Sequence, residues 1–251
     1  MITVIILTKN NAGTIEKTLK SISWAGERII IDDDSCDATV DIAKKRKATV
    51  YQHPLNDDFA SQRNFGLSKA KGEWVLFIDS DEEVSEELEK EILYKITNHN
   101  DQITNKIQGY YVKRKDIFLG KELQHGETAH VTLLRLARKE AGTWVRPVHE
   151  YWDVKGKTEM LDHPVLHHSH TSIRQFVADI NRYSTINAQY FYKQGITANA
   201  FTIIFYPLAK FIQNYFFRFG FLDGTAGAVM AIMMSFHSFL TRGKLYILQN
   251  H

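Results

Sequence analysis

Over roughly its first hundred residues the chain alternates two hydrophobic rhythms. Short strand-like runs with apolar centres, Ile2 to Leu7, Glu27 to Asp32, Thr49 to His53 and Trp74 to Asp79, are separated by stretches with apolar residues at helical spacing. An unbroken β-branched run suits a strand covered on both faces, as in a parallel sheet. Between the runs, Asn11 to Ser23 carries Ile15, Leu19 and Ile22 on one helical face. Cys36 to Lys47 and Phe59 to Lys71 read as two more helices. Ser85 to Asn98 reads as a fourth, opened by a capping serine and first-turn acids. Strand and helix in strict alternation predict an α/β domain with right-handed crossovers, in which ligands sit beyond the carboxyl ends of the strands.

The rhythm then changes. Gly109 to Gly120 and His130 to Lys139 are strand-like with interspersed charges, which predicts antiparallel pieces at a sheet edge. A histidine-rich stretch, Leu161 to His170, precedes an amphipathic helix from Ser172 to Gly195. From Ala200 onward the chain is aromatic, apolar and almost free of acids. The expected division is a domain over 1–195, with a nucleotide-binding half to 100 and an acceptor half over 101–195, followed by a helical extension over 196–251.

Composition narrows the class. With 251 residues, 44% hydrophobic and 24% charged, the chain can bury a full core. A net charge of +2 gives no electrostatic case for a nucleic-acid partner. The one cysteine, Cys36, excludes an internal disulfide framework and suits the cytoplasm. The opening residues lack the basic region and long apolar core of a signal peptide.

The chemistry concentrates where strands end. Trp74 to Ile78 runs directly into Asp79, Ser80 and Asp81, with Glu82 and Glu83 behind them. If the extended backbone persists, Asp79 and Asp81 share a face. Two carboxylates aimed at one point call for a cation, and Mg²⁺ completes such a shell with phosphate oxygens. The alternative is that all these acids, Glu82, Glu83, Glu86 and Glu87 included, simply decorate the start of the next helix. A second strand ends in Asp32, Asp33 and Asp34. A carboxylate there can accept from a pyrimidine N–H or a ribose hydroxyl, or it can cap a turn.

These motifs, in this order, resemble glycosyltransferase family 2 with its GT-A fold. The matching segments are VIILTKNNAGTIEKTLKSI, IIIDDDSCDAT, QRNFGLSKAKGEWVLFIDSDE and WVRPVHE. The tail FGFLDGTAGAVMAIMMSFHSFLTRGKL resembles the bacterial subgroup that builds lipopolysaccharide cores, its β-glucosyltransferases among them. Asp34 stands where that family usually has glycine, and Asn11 where it often has glutamate.

The resemblance implies roles. Thr8, Lys9, Asn10 and Asp32 would line the nucleotide pocket, with Asp32 reading uracil, and Arg63 and Ser80 nearby. Asp79 and Asp81 would form the D-x-D pair holding Mg²⁺ or Mn²⁺, Asp81 more directly. One histidine of the cluster His167, His168 and His170, taken as His167, would stand by the metal or diphosphate. Glu150, after His149, would be the catalytic base, or else a surface partner of Arg146. Trp144 and Trp152 would stack on a sugar or lie in the core. The expected reaction is inverting transfer of a hexose such as glucose from a UDP-sugar to a glycan or lipid-linked acceptor. A sugar-1-phosphate nucleotidyltransferase would need a glycine-rich loop that LTKNNAGT lacks. The alternative is a non-catalytic sugar-nucleotide or glycan-binding module of the same fold, which the presence of both D-x-D and HE disfavours. The tail is expected to dock on the inner face of the cytoplasmic membrane without spanning it, or else to pack on itself or a second subunit.

Overall fold

The computed structural model describes residues 1–97, 107–169 and 172–250. The chain divides into two compact units, Met1–Arg114 with Thr132–His167, and Lys115–Val131 with His168–His251. This division falls well before the boundary at 195 read from composition, because the long helix before that point belongs to the second unit. His170 and the boundary expected between residues 100 and 101 lie outside the described residues.

The first unit is built on strands β1 (Ile2–Thr8), β2 (Glu27–Asp32), β3 (Thr49–Gln52) and β4 (Trp74–Asp79), interleaved with helices α1 (Ile15–Ser21), α2 (Thr39–Lys45) and α3 (Phe59–Lys69). All four strands are parallel, in the order β3-β2-β1-β4. Beyond β4 the sheet becomes mixed. It adds β5 (Glu82–Val84), β6 (Ile107–Phe118), β8 (Thr132–Arg138), β11 (Lys157–Met160) and β12 (Val165–His167), and β8 runs antiparallel to both β4 and β6. β7 (Lys121–Glu122) pairs with the end of β6 inside the second unit. A separate hairpin joins β9 (Gly142–Val145) to β10 (Tyr151–Val154).

Strand alternation sorts the core onto two faces. Val4, Ile6, Ile30, Leu76 and Ile78 pack against Ile15 and Leu19 of α1 and against Leu88, Ile92 and Ile96 of α4 (Glu86–Thr97). Ile5, Leu7, Ile29, Ile31, Val75 and Phe77 face α3 and the β9–β10 hairpin. α3 comes so close that a Cβ on Gly66 would lie 2.8 Å from Ile5 Cγ2, which is why a glycine stands there.

The second unit is helical: α5 (Ile173–Lys193), α6 (Ala200–Ile212), a π-helical turn Gln213–Phe217 and α7 (Gly224–Gln249). Ser172 caps α5 through the Gln175 N–H, and Asn199 with Thr202 forms a capping box at α6. Phe118, Leu123, Phe176, Ile180, Ala226, Met230 and Met233 make its core. The helical stretch Gly220–Gln249 is 30 residues, long and apolar enough by length and composition to cross a membrane.

Candidate active site

The parallel half of the sheet brings two acidic strand ends to either side of β1. Thr8 pairs with Asp32, and Leu7 pairs with Asp79. Asp32 is fully buried. Its Oδ2 accepts from the Ser35 N–H at 2.8 Å, the turn-capping role, while Oδ1 is buried with no hydrogen-bond partner. Thr8 Oγ1 is likewise buried and unpartnered. Lys9 forms an ion pair with Asp33 at 2.9 Å. Asn10 ties the two loops together: its N–H donates to Ser35 Oγ, and its Oδ1 accepts from the Cys36 N–H. Asn10 (φ 53°) and Asp34 (φ 52°) are both left-handed. That conformation explains the family's usual glycine at 34, and aspartate is among the few other residues that tolerate it.

At β4 the extended backbone does not persist. The strand ends at Asp79, and Ser80 and Asp81 turn the chain into β5. Asp79 and Asp81 therefore engage different partners. Arg135 Nη2 meets Asp79 Oδ2 at 2.7 Å, and Arg63 Nη2 meets Oδ1 at 2.9 Å. Burial opposes ionisation of Asp79, but Arg135 and Arg63 outweigh it and hold the carboxyl well below the usual carboxylate range. Asp81 lies instead with His167, whose Nε2 is 3.5 Å from Asp81 Oδ2. Ser80 is buried; its side chain bonds Asn11 and its carbonyl accepts from Thr18 Oγ1 at 3.0 Å.

Glu82 corrects the reading of these acids as helix-start decoration. It is fully buried in β5, and its Oε2 accepts from the Asp79 N–H at 2.8 Å. Burial, then the neighbouring Asp79 charge, push its carboxyl up, against Arg135, His167 and Arg114. Neither the burial of Glu82 nor the place of Arg135 beside Asp79 is legible in the sequence. Arg135 sits in a run, TLLRLAR, that reads as an ordinary strand, and only the sheet order places it against β4.

Glu150 lies at the end of the loop between β9 and β10. Its Oε1 accepts from Arg63 Nε at 2.8 Å. Arg146 (φ 76°) and His149 (φ 52°) in this loop are both left-handed non-glycine residues, a concentration of backbone strain typical of functional loops. Trp144 and Trp152 are core residues, not sugar platforms. They are 5% and 3% exposed, stack on each other and pack edge-on against Phe77. The Arg63 guanidinium lies 4.6 Å above the Trp144 ring.

The donor set of Asp81 and His167 fits a cation that completes its shell with substrate oxygens. Among the described residues no three His, Cys, Asp or Glu side chains converge into an all-protein metal cage.

A parallel half, a mixed half and acids at the carboxyl ends of the strands are the arrangement of the GT-A fold. The model of the family "Glycosyl transferase family 2" matches residues 3–176, and this chain belongs to that family. It is 31% identical over 255 residues to an uncharacterized glycosyltransferase of Rickettsia prowazekii, spanning 97% of this chain and 86% of that one. It is 24% identical over 248 residues to the lipopolysaccharide core biosynthesis glycosyltransferase LpsC of Rhizobium meliloti, spanning 96% and 90%. Among solved structures, S. aureus TarS 1-349 in complex with UDP matches at a TM-score of 0.51 and 17% identity, covering 100% of this chain and 92% of that one. Glucosyl-3-phosphoglycerate synthase from Mycobacterium tuberculosis, in complex with Mn²⁺, UDP and glucosyl-3-phosphoglycerate, matches at 0.50 and 18%, covering 79% and 81%. The protein is a family 2 glycosyltransferase with a sugar-nucleotide donor.

Proposed function

We propose that the protein is a metal-dependent inverting glycosyltransferase. It moves a hexose, glucose first among the candidates, from a UDP-sugar to a hydroxyl of a lipopolysaccharide-core or other lipid-linked glycan. The observation that carries the nucleotide assignment is the buried, unpartnered Oδ1 of Asp32. A buried acceptor without a donor is costly, and the ring N–H of uracil is the donor that would satisfy it. The nearby unpartnered Thr8 Oγ1 and Arg63 Nη1 fit a polar ligand in the same way. UDP is bound by both solved relatives named above, and Mn²⁺ by the synthase.

Asp81 and His167 are the residues that would hold Mg²⁺ or Mn²⁺, which supplies positive charge beside a departing diphosphate. Glu150 takes the proton from the acceptor hydroxyl as that oxygen attacks the anomeric carbon. Arg63 fixes one oxygen of Glu150, so the base presents itself in one orientation. One carboxylate base and one direct displacement invert the anomeric centre, giving a β-linkage from an α-linked donor.

The helical unit supports a peripheral membrane position on the cytoplasmic side. Phe201, Phe205, Phe216, Phe217 and Phe219 are between 49% and 75% exposed. Three cations of the tail are engaged within the unit. Lys210 pairs with Glu127, Arg242 lies over the Tyr206 ring, and Lys244 bonds Asn181, Ser184 and Thr185. Docking therefore rests on aromatic insertion more than on charge. α7 supplies buried Met230, Met233 and Leu245 to its own unit, which favours packing over spanning. The deciding experiment is a donor panel of UDP-, GDP- and dTDP-sugars with a lipid-linked acceptor, with and without Mn²⁺. Release of UDP alone, with a β-linked product by NMR, supports the assignment. Release of another nucleotide, or an α-linked product, overturns it.

A further inference from the structure

We infer that Asp79 and Arg135 are positioning residues for the base: they brace Arg63, which in turn holds Glu150, so Asp79 serves the base and not the cation. The inference rests on the reading of Glu150 as the base. The geometry is a continuous chain of contacts within the first unit. Glu150 Oε1 accepts from Arg63 Nε at 2.8 Å, and Arg63 Nη2 donates to Asp79 Oδ1 at 2.9 Å. Arg135 then grips Asp79 with both terminal nitrogens, Nη2 to Oδ2 at 2.7 Å and Nη1 to Oδ1 at 3.3 Å. Behind it, Arg135 Nη2 is 3.7 Å from Glu82 Oε1, and Glu82 Oε2 receives the Asp79 N–H. The side chains of Arg63, Arg135 and Glu82 are 5%, 7% and 0% exposed.

Three features give the chain of contacts direction. Each Asp79 oxygen already accepts from a guanidinium, so the carboxylate is committed to arginine. Asp81, two residues on, meets His167 and no arginine among the contacts described. The loop that carries Glu150 holds two non-glycine residues in strained left-handed conformations, so it keeps its shape only if something outside it holds it there. Arg63 does so from one side. The Phe59 N–H, from the first turn of the same helix, does so by donating to Pro147 O at 2.9 Å. A guanidinium is the group this task requires, because its rigid planar fork can meet Glu150 through Nε and Asp79 through Nη2 at once. Lysine carries the same charge but can hold only one geometry at a time.

The test uses the full-length protein and three variants, Arg135→Lys, Asp79→Asn and Asp81→Asn. Two readouts follow: hydrogen–deuterium exchange of the 146–150 loop, and transfer kinetics with Mn²⁺ titrations. Arg135→Lys and Asp79→Asn should raise loop exchange by about tenfold, with β1 and β2 unchanged. They should lower kcat by about tenfold or more, leaving the Kd for UDP and the half-activating Mn²⁺ concentration within about twofold. Asp81→Asn should do the reverse, shifting Mn²⁺ activation by about tenfold or more with the loop unmoved. Unchanged loop exchange in both Arg135→Lys and Asp79→Asn overturns the inference, whatever the activity. So does an Asp79→Asn shift in Mn²⁺ activation as large as that of Asp81→Asn. A wild-type protein that releases no nucleotide would sink the transferase reading, while the exchange result would still decide whether the brace exists.

Discussion

Replacing Asp32 with asparagine separates a nucleotide-reading carboxylate from a purely structural one. Asp32 is fully buried, with Oδ2 accepting from the Ser35 N–H at 2.8 Å and Oδ1 unpartnered. Asparagine has nearly the same shape. Its carbonyl oxygen keeps the Ser35 bond, which turns its NH₂ to the place where the ring N–H of uracil would arrive. Donor then faces donor, and one hydrogen bond to a carboxylate is lost, worth about 1.5–3 kcal/mol. At 1.4 kcal/mol per decade, UDP binding should weaken about 10- to 150-fold. Cytosine has an acceptor at the same ring position, so CDP should lose far less, and the preference for UDP over CDP should collapse. The free protein should keep nearly the same stability, because the Ser35 bond is retained and the buried position stays unpartnered in both forms, as acceptor in one and donor in the other. Calorimetric titration of UDP and CDP, with a thermal melt of each form, measures all three quantities. A UDP-to-CDP preference unchanged within about twofold in a variant that melts normally would refute the assignment and leave Asp32 as a turn cap.

Glu150→Gln preserves shape while removing the proton acceptor, so transfer should fall on the order of 10²-fold with UDP affinity retained; stopped assays and titration check both. Phe217→Asp in the full chain places a charge on the most exposed of the tail phenylalanines, 75% exposed, and should cut flotation with phospholipid vesicles about tenfold or more. Wild-type flotation should persist in high salt, since the tail's lysines are spent internally. Burial opposes ionisation of Glu127, but Lys210, Asn214 and Arg218 outweigh it and hold its carboxyl below the ordinary value. A depressed carboxyl stabilises the fold above its unfolded value, about 4.3, and loses that contribution as pH falls through the folded value. Glu127→Gln should therefore cost about 1 kcal/mol at pH 7 and progressively less as pH falls below the unfolded value, read from urea unfolding at each pH.

The alternation of apolar runs and helical spacing was sufficient to place β1 to β4 and α1 to α4, because strands covered on both faces leave an unmistakable continuous signal. The same runs end in acids, so Asp32 and Asp79 could be assigned to the carboxyl edge of the sheet from the sequence alone. What sequence could not decide was which way each acid points. Whether Asp79 and Asp81 share a face depends on one residue, Ser80, continuing or ending an extended backbone, and its bonds to Asn11 and Thr18 end it. Glu82 reads as one more helix-start acid, yet pairing of β5 with β12 buries it completely. Arg135 is 56 residues from Asp79 along the chain, and only an antiparallel strand laid against β4 delivers its guanidinium there. Local propensity acts over a few residues and is written in the sequence directly. The partner of a buried charge is chosen by sheet order, which arises only when the whole core has packed.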